Sequence, residues 1–235
     1  MITGAGSGIG RAACDVFAAA GYEVLAVDLH EDSAAAAAEA VGGRSESGDV
    51  SDAAVWDRIV AAAGDDLRVV YLNAGVYGHR GAIDDLPLDL YERTIGANIG
   101  GVVLGTRACV PALRSNGGGA IVVTASVAGV IAFGGNPIYT LTKQAVAGFV
   151  AAVAPSLEPS GITIDAVCPG VVDTPMTASA LGGLDPKDLG IAMAGPEVIA
   201  QAALELATSD GTGRCRIVRA GSEAVDWRHP TWQEL

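Results

Sequence analysis

Short apolar runs alternate with helical stretches along the chain, and this alternation restricts the fold more than any single residue does. The pattern predicts strands over 22–28, 67–72, 120–125, 162–167 and 215–219, and helices over 32–41, 51–63, 88–113, 137–157 and 196–207. Ser51 is a plausible N-cap, and Pro137 sits in a first helical turn, where its fixed φ is tolerated. Strands separated by helices imply βαβ units, hence a parallel sheet covered on both faces. At 235 residues one α/β domain accounts for the whole chain, 1–235, with no repeat and no linker. Residues 177–195, rich in Gly, Ala and Leu, read as a flap with a short helix. Residues 221–235 read as a C-terminal tail, docked or part of a subunit contact.

The first turn is glycine-rich: Thr3-Gly4-Ala5-Gly6-Ser7-Gly8-Ile9-Gly10, followed by a helix. Glycines allow a tight turn and close approach to a pyrophosphate, and the helix N-terminus adds free N–H groups and a positive dipole end. Asp28 ends the next strand, where a carboxylate binds both hydroxyls of an adenosine ribose and repels a 2′-phosphate. Neither Ser7 nor Leu29 supplies the cation that NADP would need, so the expected cofactor is NAD.

Tyr139 and Lys143 stand four apart, and Lys143 is one of only two lysines. On a helix that spacing puts phenol and ammonium on one face. Ser126 lies upstream at the end of an expected strand. A hydroxyl, a phenol and a cation converging on one spot suit proton transfer at an alcohol or carbonyl. Tyr77 and His79 are further substrate candidates or plain loop surface; Val127, Val130, Ile131, Phe133 and Asn136 line a pocket or pack as core.

The formal net charge of −13 argues against nucleic-acid or anionic-lipid partners. No run approaches the ~20 apolar residues of a membrane span, and no signal peptide is visible, so a soluble cytoplasmic protein is expected. Cys14, Cys109, Cys168 and Cys215 read as buried thiols in a reducing compartment, and His30, His79 and His229 have no metal-ligand spacing.

Together these motifs resemble the short-chain dehydrogenase/reductase family, in its single-domain branch, from Thr3 to about Met176. Gly4, Ser7, Gly8, Ile9 and Gly10 are similar to its cofactor loop, Asp28 and Leu29 to its ribose site, and Asp49-Val50 to its adenine contact. Asn73-Ala74-Gly75 resembles its Asn-Ala-Gly element, and Pro169, Gly170, Val172 and Thr174 its nicotinamide segment. Ser126, Tyr139, Lys143 and Asn98 match its catalytic positions. The resemblance implies a doubly wound, seven-stranded Rossmann sheet, hydride transfer between NAD(H) and a secondary alcohol or ketone, and a homotetramer or dimer built on helices 88–113 and 137–157. It implies Tyr139 as acid/base, Ser126 as holder of the substrate oxygen, Lys143 as binder of the nicotinamide ribose, Asn98 as anchor of a relay water, and Thr174 as carboxamide partner. A phenol ordinarily titrates near 10, so working near pH 7 takes about 4 kcal/mol. One cation at ~4 Å supplies roughly that much, and Lys143 and an oxidised nicotinamide are the implied sources. An NADP-dependent carbonyl reductase and a non-catalytic nucleotide-binding protein are the alternatives.

Three departures stand out. The family has about five more residues before Thr3, so the central strand is expected to be short and the start misplaced or trimmed. Asp165 replaces a usual asparagine at what is a structural link, and Thr124-Ala125 replaces the more usual pair before Ser126.

Overall fold

Successive strand side chains point to opposite faces of a sheet, and the central strands here are apolar on both faces, so the sheet must be covered twice. The computed structural model describes residues 1–182, 184–186, 188–230 and 234. Its strands are β1 (Ile2–Thr3), β2 (Leu25–Asp28), β3 (Arg44–Ser47), β4 (Val69–Leu72), β5 (Gly119–Thr124), β6 (Ile162–Pro169), β7 (Cys215–Val218) and β8 (Val225–Trp227). They form one sheet in the order β3-β2-β1-β4-β5-β6-β7-β8. All pairings are parallel except β7 with β8. The helices are α1 (Gly8–Ala19), α2 (Glu31–Glu39), α3 (Trp56–Ala63), α4 (Leu88–Ile95), α5 (Gly101–Ser115), α6 (Pro137–Leu157), α7 (Pro175–Leu181) and α8 (Pro196–Thr208).

Burial follows strand alternation. On one face α3, α5 and α6 pack Trp56, Ile59, Leu113 and Val150 over Val27, Val70, Ile121, Val123 and Ile164. On the other, α1, α2 and α8 pack Phe17, Ala37, Ile199 and Leu206 over Ala26, Tyr71, Val122 and Val167. This is the doubly wound α/β fold, and its strand order reverses between β1 and β4. The crevice beyond the carboxyl ends of the strands at such a reversal is where ligands bind.

Four details differ from expectation. Among the described residues the sheet has eight strands, not seven. The eighth lies in the expected tail, where Val225–Trp227 pairs with the open edge of β7, Arg216 bonds Asp226 directly opposite at 2.7 Å, and Trp227 packs on the core. β3 was not expected from the apolar pattern, because Arg44–Ser47 is wholly polar. The N-cap near residue 51 is Asp52, whose carboxylate accepts from Ala54 N at 2.9 Å; the Ser51 hydroxyl instead donates to Asp49. The long helix over 88–113 contains a π-helical turn at Gly96–Gly100, between α4 and α5, where two glycines weaken the α-helical preference. That turn carries Asn98 into the interior, with no exposed surface. β1 is short, as expected: Ile2 and Thr3 pair with β2 and Ile2 with β4, and Tyr71 N donates to the Met1 carbonyl at 2.8 Å.

No helix among the described residues is long and apolar enough to cross a membrane. The four cysteines are buried and free.

Candidate active site

The carboxyl ends of β1, β2, β4, β5 and β6 open onto a cleft of about 680 Å³, a size suited to a cofactor and a small substrate. Its wall includes Gly4, Ser7, Gly8, Ile9, Asp28, Leu29, Asp49, Val50, Asn73, Ala74, Gly75, Ser126, Tyr139, Lys143, Pro169, Gly170, Val172 and Thr174. Segments far apart in sequence thus meet on one surface. Gly10 and Asn98 are not on that wall.

The glycine turn leads from β1 into α1. Ser7 precedes the helix in extended conformation, its side chain does not cap it, and no acidic residue sits in the first turn. The first N–H groups and the positive dipole end therefore face the cleft free of competition, which suits a phosphate group. Gly4 and Gly8 have φ of +64° and +50°, a region that favours glycine. A Cβ on Gly10 would run into the Gly4 carbonyl oxygen and stand 2.8 Å from Asn73 Nδ2. Gly10 thus lets α1 pass close beneath the turn. Gly10→Ala should push the turn off the helix and weaken binding of a nicotinamide dinucleotide by about tenfold or more, read by calorimetric titration.

Asp28 holds this turn from the side: its Oδ2 accepts from Gly6 N at 2.9 Å and its Oδ1 from His30 N at 3.1 Å. Each oxygen keeps a lone pair for a ligand hydroxyl. Beneath the turn, Thr3 Oγ1 accepts from Asn73 N and Ala74 N at 3.0 and 3.1 Å, and Asn73 Nδ2 donates to the Thr3 carbonyl at 3.1 Å. Across the cleft, Thr174 caps α7 by accepting from Thr177 N, and its Cγ2 lies 3.0 Å from where a Gly8 Cβ would be. The N-termini of α1 and α7 thus converge. The glycine cradle, the open helix end and the carboxylate opposite it fit a dinucleotide.

The other end of the cleft is reactive. Asn136 caps α6, its Oδ1 accepting from Tyr139 N at 2.9 Å, while its Nδ2 donates to the Tyr77 carbonyl at 2.7 Å. One buried side chain thus fixes both the helix start and the loop after β4. Tyr139 packs on Tyr77 with ring centroids 5.1 Å apart. Lys143, only 4% exposed, lies one turn along, its Nζ 5.5 Å from the Tyr139 ring centroid and donating to the Thr124 carbonyl at 2.7 Å. Ser126 Oγ accepts from Ala128 N at 3.1 Å, which leaves its proton to donate.

Burial pushes the Tyr139 phenol up to about 12, against a smaller lowering by the Ser126 hydroxyl. Burial also pushes the Lys143 ammonium down to about 8. The protein's own groups therefore hold the phenol above its ordinary value, whereas the lowering implied by the resemblance draws on the charge of an oxidised nicotinamide as well as on Lys143. Desolvation of the buried phenol is the larger effect, and the opposing pull comes from the Ser126 hydroxyl. Near pH 7 the protein's own groups give a neutral phenol beside a cation, an arrangement ready to donate a proton.

Asn98 lies behind the wall. Its Oδ1 accepts from Val76 N at 2.7 Å, and its Nδ2 donates to the Val76 carbonyl at 2.9 Å and Thr142 Oγ1 at 3.0 Å. Both amide hydrogens are committed, so this side chain ties the β4 loop to α6.

Sequence reasoning missed Thr124. Its hydroxyl accepts from the Tyr71 phenol at 2.9 Å and donates to Asn73 Oδ1 at 2.9 Å, while its carbonyl holds Lys143. It links the ammonium to the residues under the glycine turn, a link that no spacing rule shows. Arg80, Val76, Met176, Thr177, Ala180, Leu181 and Ile191 also line the cleft, and only their position in space shows it. Among the described residues, no cluster of three or more His, Cys, Asp or Glu side chains is placed to hold a metal.

Comparison with known proteins identifies the family. The family model for short chain dehydrogenase matches residues 1–183. Trans-4-hydroxycyclohexanecarboxylate dehydrogenase of Sinomonas cyclohexanicum is 35% identical over 204 residues, 81% of this chain and 78% of that protein. 2-(R)-hydroxypropyl-CoM dehydrogenase of Xanthobacter autotrophicus is 33% identical over 233 residues, 90% and 92% of the two chains. The crystal structure of a 3-ketoacyl-(acyl-carrier-protein) reductase from Brucella melitensis, complexed with NADH, superposes with a TM-score of 0.86 at 29% identity, covering 94% of this chain and 96% of that one.

Proposed function

Because this chain belongs to the short-chain dehydrogenase family of oxidoreductases, which use nicotinamide cofactors and act on alcohols and ketones, we propose that it oxidises a secondary alcohol with NAD, or reduces the matching ketone with NADH. The observation that carries this reading is the meeting of Tyr139 and Lys143 on the wall of the cleft that the glycine turn also lines. The NADH-bound relative adds support for the cofactor.

The bound nicotinamide supplies the hydride acceptor or donor and, when oxidised, a positive charge. The Tyr139 phenol gives its proton to a ketone oxygen, or takes the alcohol proton in the reverse direction. Ser126 donates to that same oxygen and steadies the charge developing on it. Lys143 holds the nicotinamide ribose and raises the positive potential at the phenol. Asn98 acts through Val76 and Thr142, keeping the loop and α6 in register, and the relay water of the family is left to atoms other than its committed amide hydrogens. Thr174, at the cap of α7, binds the carboxamide, and Thr177, Ala180, Leu181 and Ile191 of the expected flap face the substrate, residues 183 and 187 of that flap lying outside the described residues. Val127, Phe133, Met176, Leu181 and Ile191 give the substrate end an apolar wall, suited to an alicyclic or similarly apolar body like that in the name of one relative. The reading includes a cytoplasmic homo-oligomer joined through α4, α5 and α6, where Leu88, Val103 and Leu141 are exposed.

The test is NADH formation, followed by its absorbance, over a panel that includes cyclohexanol and 4-hydroxycyclohexanecarboxylate. Growth of the signal with at least one alcohol is expected; none with any alcohol or ketone would leave a nucleotide-binding protein without turnover. The wild type should prefer NAD to NADP. Asp28→Ala should cut that preference by about tenfold or more, since one charge-assisted contact to the ribose and one repulsion of the 2′-phosphate are both lost. An unchanged preference would move cofactor choice elsewhere.

A further inference from the structure

We propose that Arg80 makes the substrate end of the cleft an anion-binding subsite, so that the natural substrate is a secondary alcohol or ketone carrying a carboxylate or sulfonate. The inference rests on the dehydrogenase reading and narrows its substrate class.

Arg80 lines the cleft. It lies three residues past Tyr77, whose ring packs on Tyr139, and this nearness in the chain is what assigns it to the reactive end; Asp28 and Asp49 line the same cleft on the carboxylate side of the glycine turn. Its loop is anchored on both sides of the bend. The Tyr77 carbonyl accepts from Asn136, Gly78 takes φ +75° with its Cα face against Thr94, and His79 Nε2 lies 3.1 Å from the Ala82 carbonyl. The backbone that presents the guanidinium is therefore fixed.

That guanidinium is also unspent. Arg11, Arg44, Arg58, Arg214, Arg216 and Arg228 each pair with a carboxylate. Of the arginines with no hydrogen bond or ion pair among the described residues, Arg80 alone lines the cleft. The other cation on the wall, Lys143, is only 4% exposed and, on the dehydrogenase reading, faces the nicotinamide ribose.

The rest of the molecule makes such a cation necessary for an anionic substrate. With a net charge of −13 the general field repels anions. The apolar residues near Tyr139 offer a carboxylate nothing in exchange for its water. A planar guanidinium replaces that water with two parallel hydrogen bonds and fixes the substrate at a second point, away from the reacting carbon.

The experiment compares 4-hydroxycyclohexanecarboxylate with its carboxamide, which has the same ring and no charge, as substrates of the NAD-loaded protein. The wild type should prefer the acid in kcat/KM by about tenfold to a hundredfold. That preference should shrink toward one in Arg80→Gln and recover in part in Arg80→Lys, and added salt should raise KM for the acid more than for the amide. Equal treatment of the two by the wild type overturns the inference alone and needs no variant. So does an equal loss of both activities in Arg80→Gln, which would mean the loop had simply moved. If neither compound, nor any other alcohol of the panel, reduces NAD, the dehydrogenase reading fails and the inference falls with it.

Discussion

Tyr139→Phe should lower turnover by about 10³-fold while NADH binding changes by no more than about twofold. The phenylalanine ring keeps the packing on Tyr77, and the helix cap from Asn136 goes to the backbone, so neither the wall nor α6 has reason to move. What disappears is the hydroxyl that, on the proposed function, gives or takes the proton. Burial pushes the Tyr139 phenol up to about 12 and the Lys143 ammonium down to about 8, so the wild type carries a neutral phenol beside a cation at neutral pH. That pairing favours ketone reduction. Alcohol oxidation needs the phenolate, and the positive charge of an oxidised cofactor would add to that of Lys143 in favouring it. Stopped-flow turnover and calorimetric NADH titration of the variant check both halves. Retained turnover would take the acid/base role from Tyr139, and lost NADH binding would make the variant uninformative about proton transfer, with Ser126→Ala then the discriminating change.

Arg214→Ala should destabilise the protein by about 3–5 kcal/mol, lowering the melting temperature by about 6–20 °C. Asp165 is 1% exposed on β6, beside Val122 of β5. Its Oδ1 accepts from Arg214 N at 2.8 Å and Nε at 3.1 Å, and its Oδ2 from Nη2 at 2.9 Å. Removing the guanidinium strands a buried carboxylate with one backbone N–H, and an unpaired buried charge costs far more than a lost surface pair. Asp165→Asn in the Arg214→Ala background removes the charge and keeps an acceptor for Arg214 N. Most of the lost stability should return, a coupling that a double-mutant cycle by calorimetry measures. Additive losses would mean the two residues act independently. This pair accounts for the departure from the family's asparagine: Asp165 is a structural link, but to a guanidinium as well as a backbone N–H.

Legibility followed the strength of the local signal. The strands at 120–125 and 162–167 and the helix at 137–157 were plain because long apolar runs and a proline at the helix start leave little choice. β3 was invisible, since Arg44–Ser47 is an edge strand with no apolar alternation to read. β8 was hidden in a segment whose only reason to extend is the unpaired edge of β7. The π-helical turn at Gly96–Gly100 shifts the helix register locally, so the inward turn of Asn98 could not be read from a 3.6-residue period.

Sequence alone determined the alternation of strands and helices, the glycine turn before α1, Asp28 at the end of β2, and the spacing that puts Tyr139 and Lys143 on one helical face. Each rests on neighbours within a few residues, where backbone geometry fixes what can meet. Only the tertiary structure decided that Lys143 is held by Thr124, that Gly10 and Asn98 stand behind the cleft wall, that Asp165 is answered by Arg214, and that Arg80 lines the cleft. Those contacts join residues from 19 to 49 positions apart, as with Lys143 and Thr124 or Arg214 and Asp165. Their energies depend on burial and on competing partners, and neither exists until the sheet has closed around them.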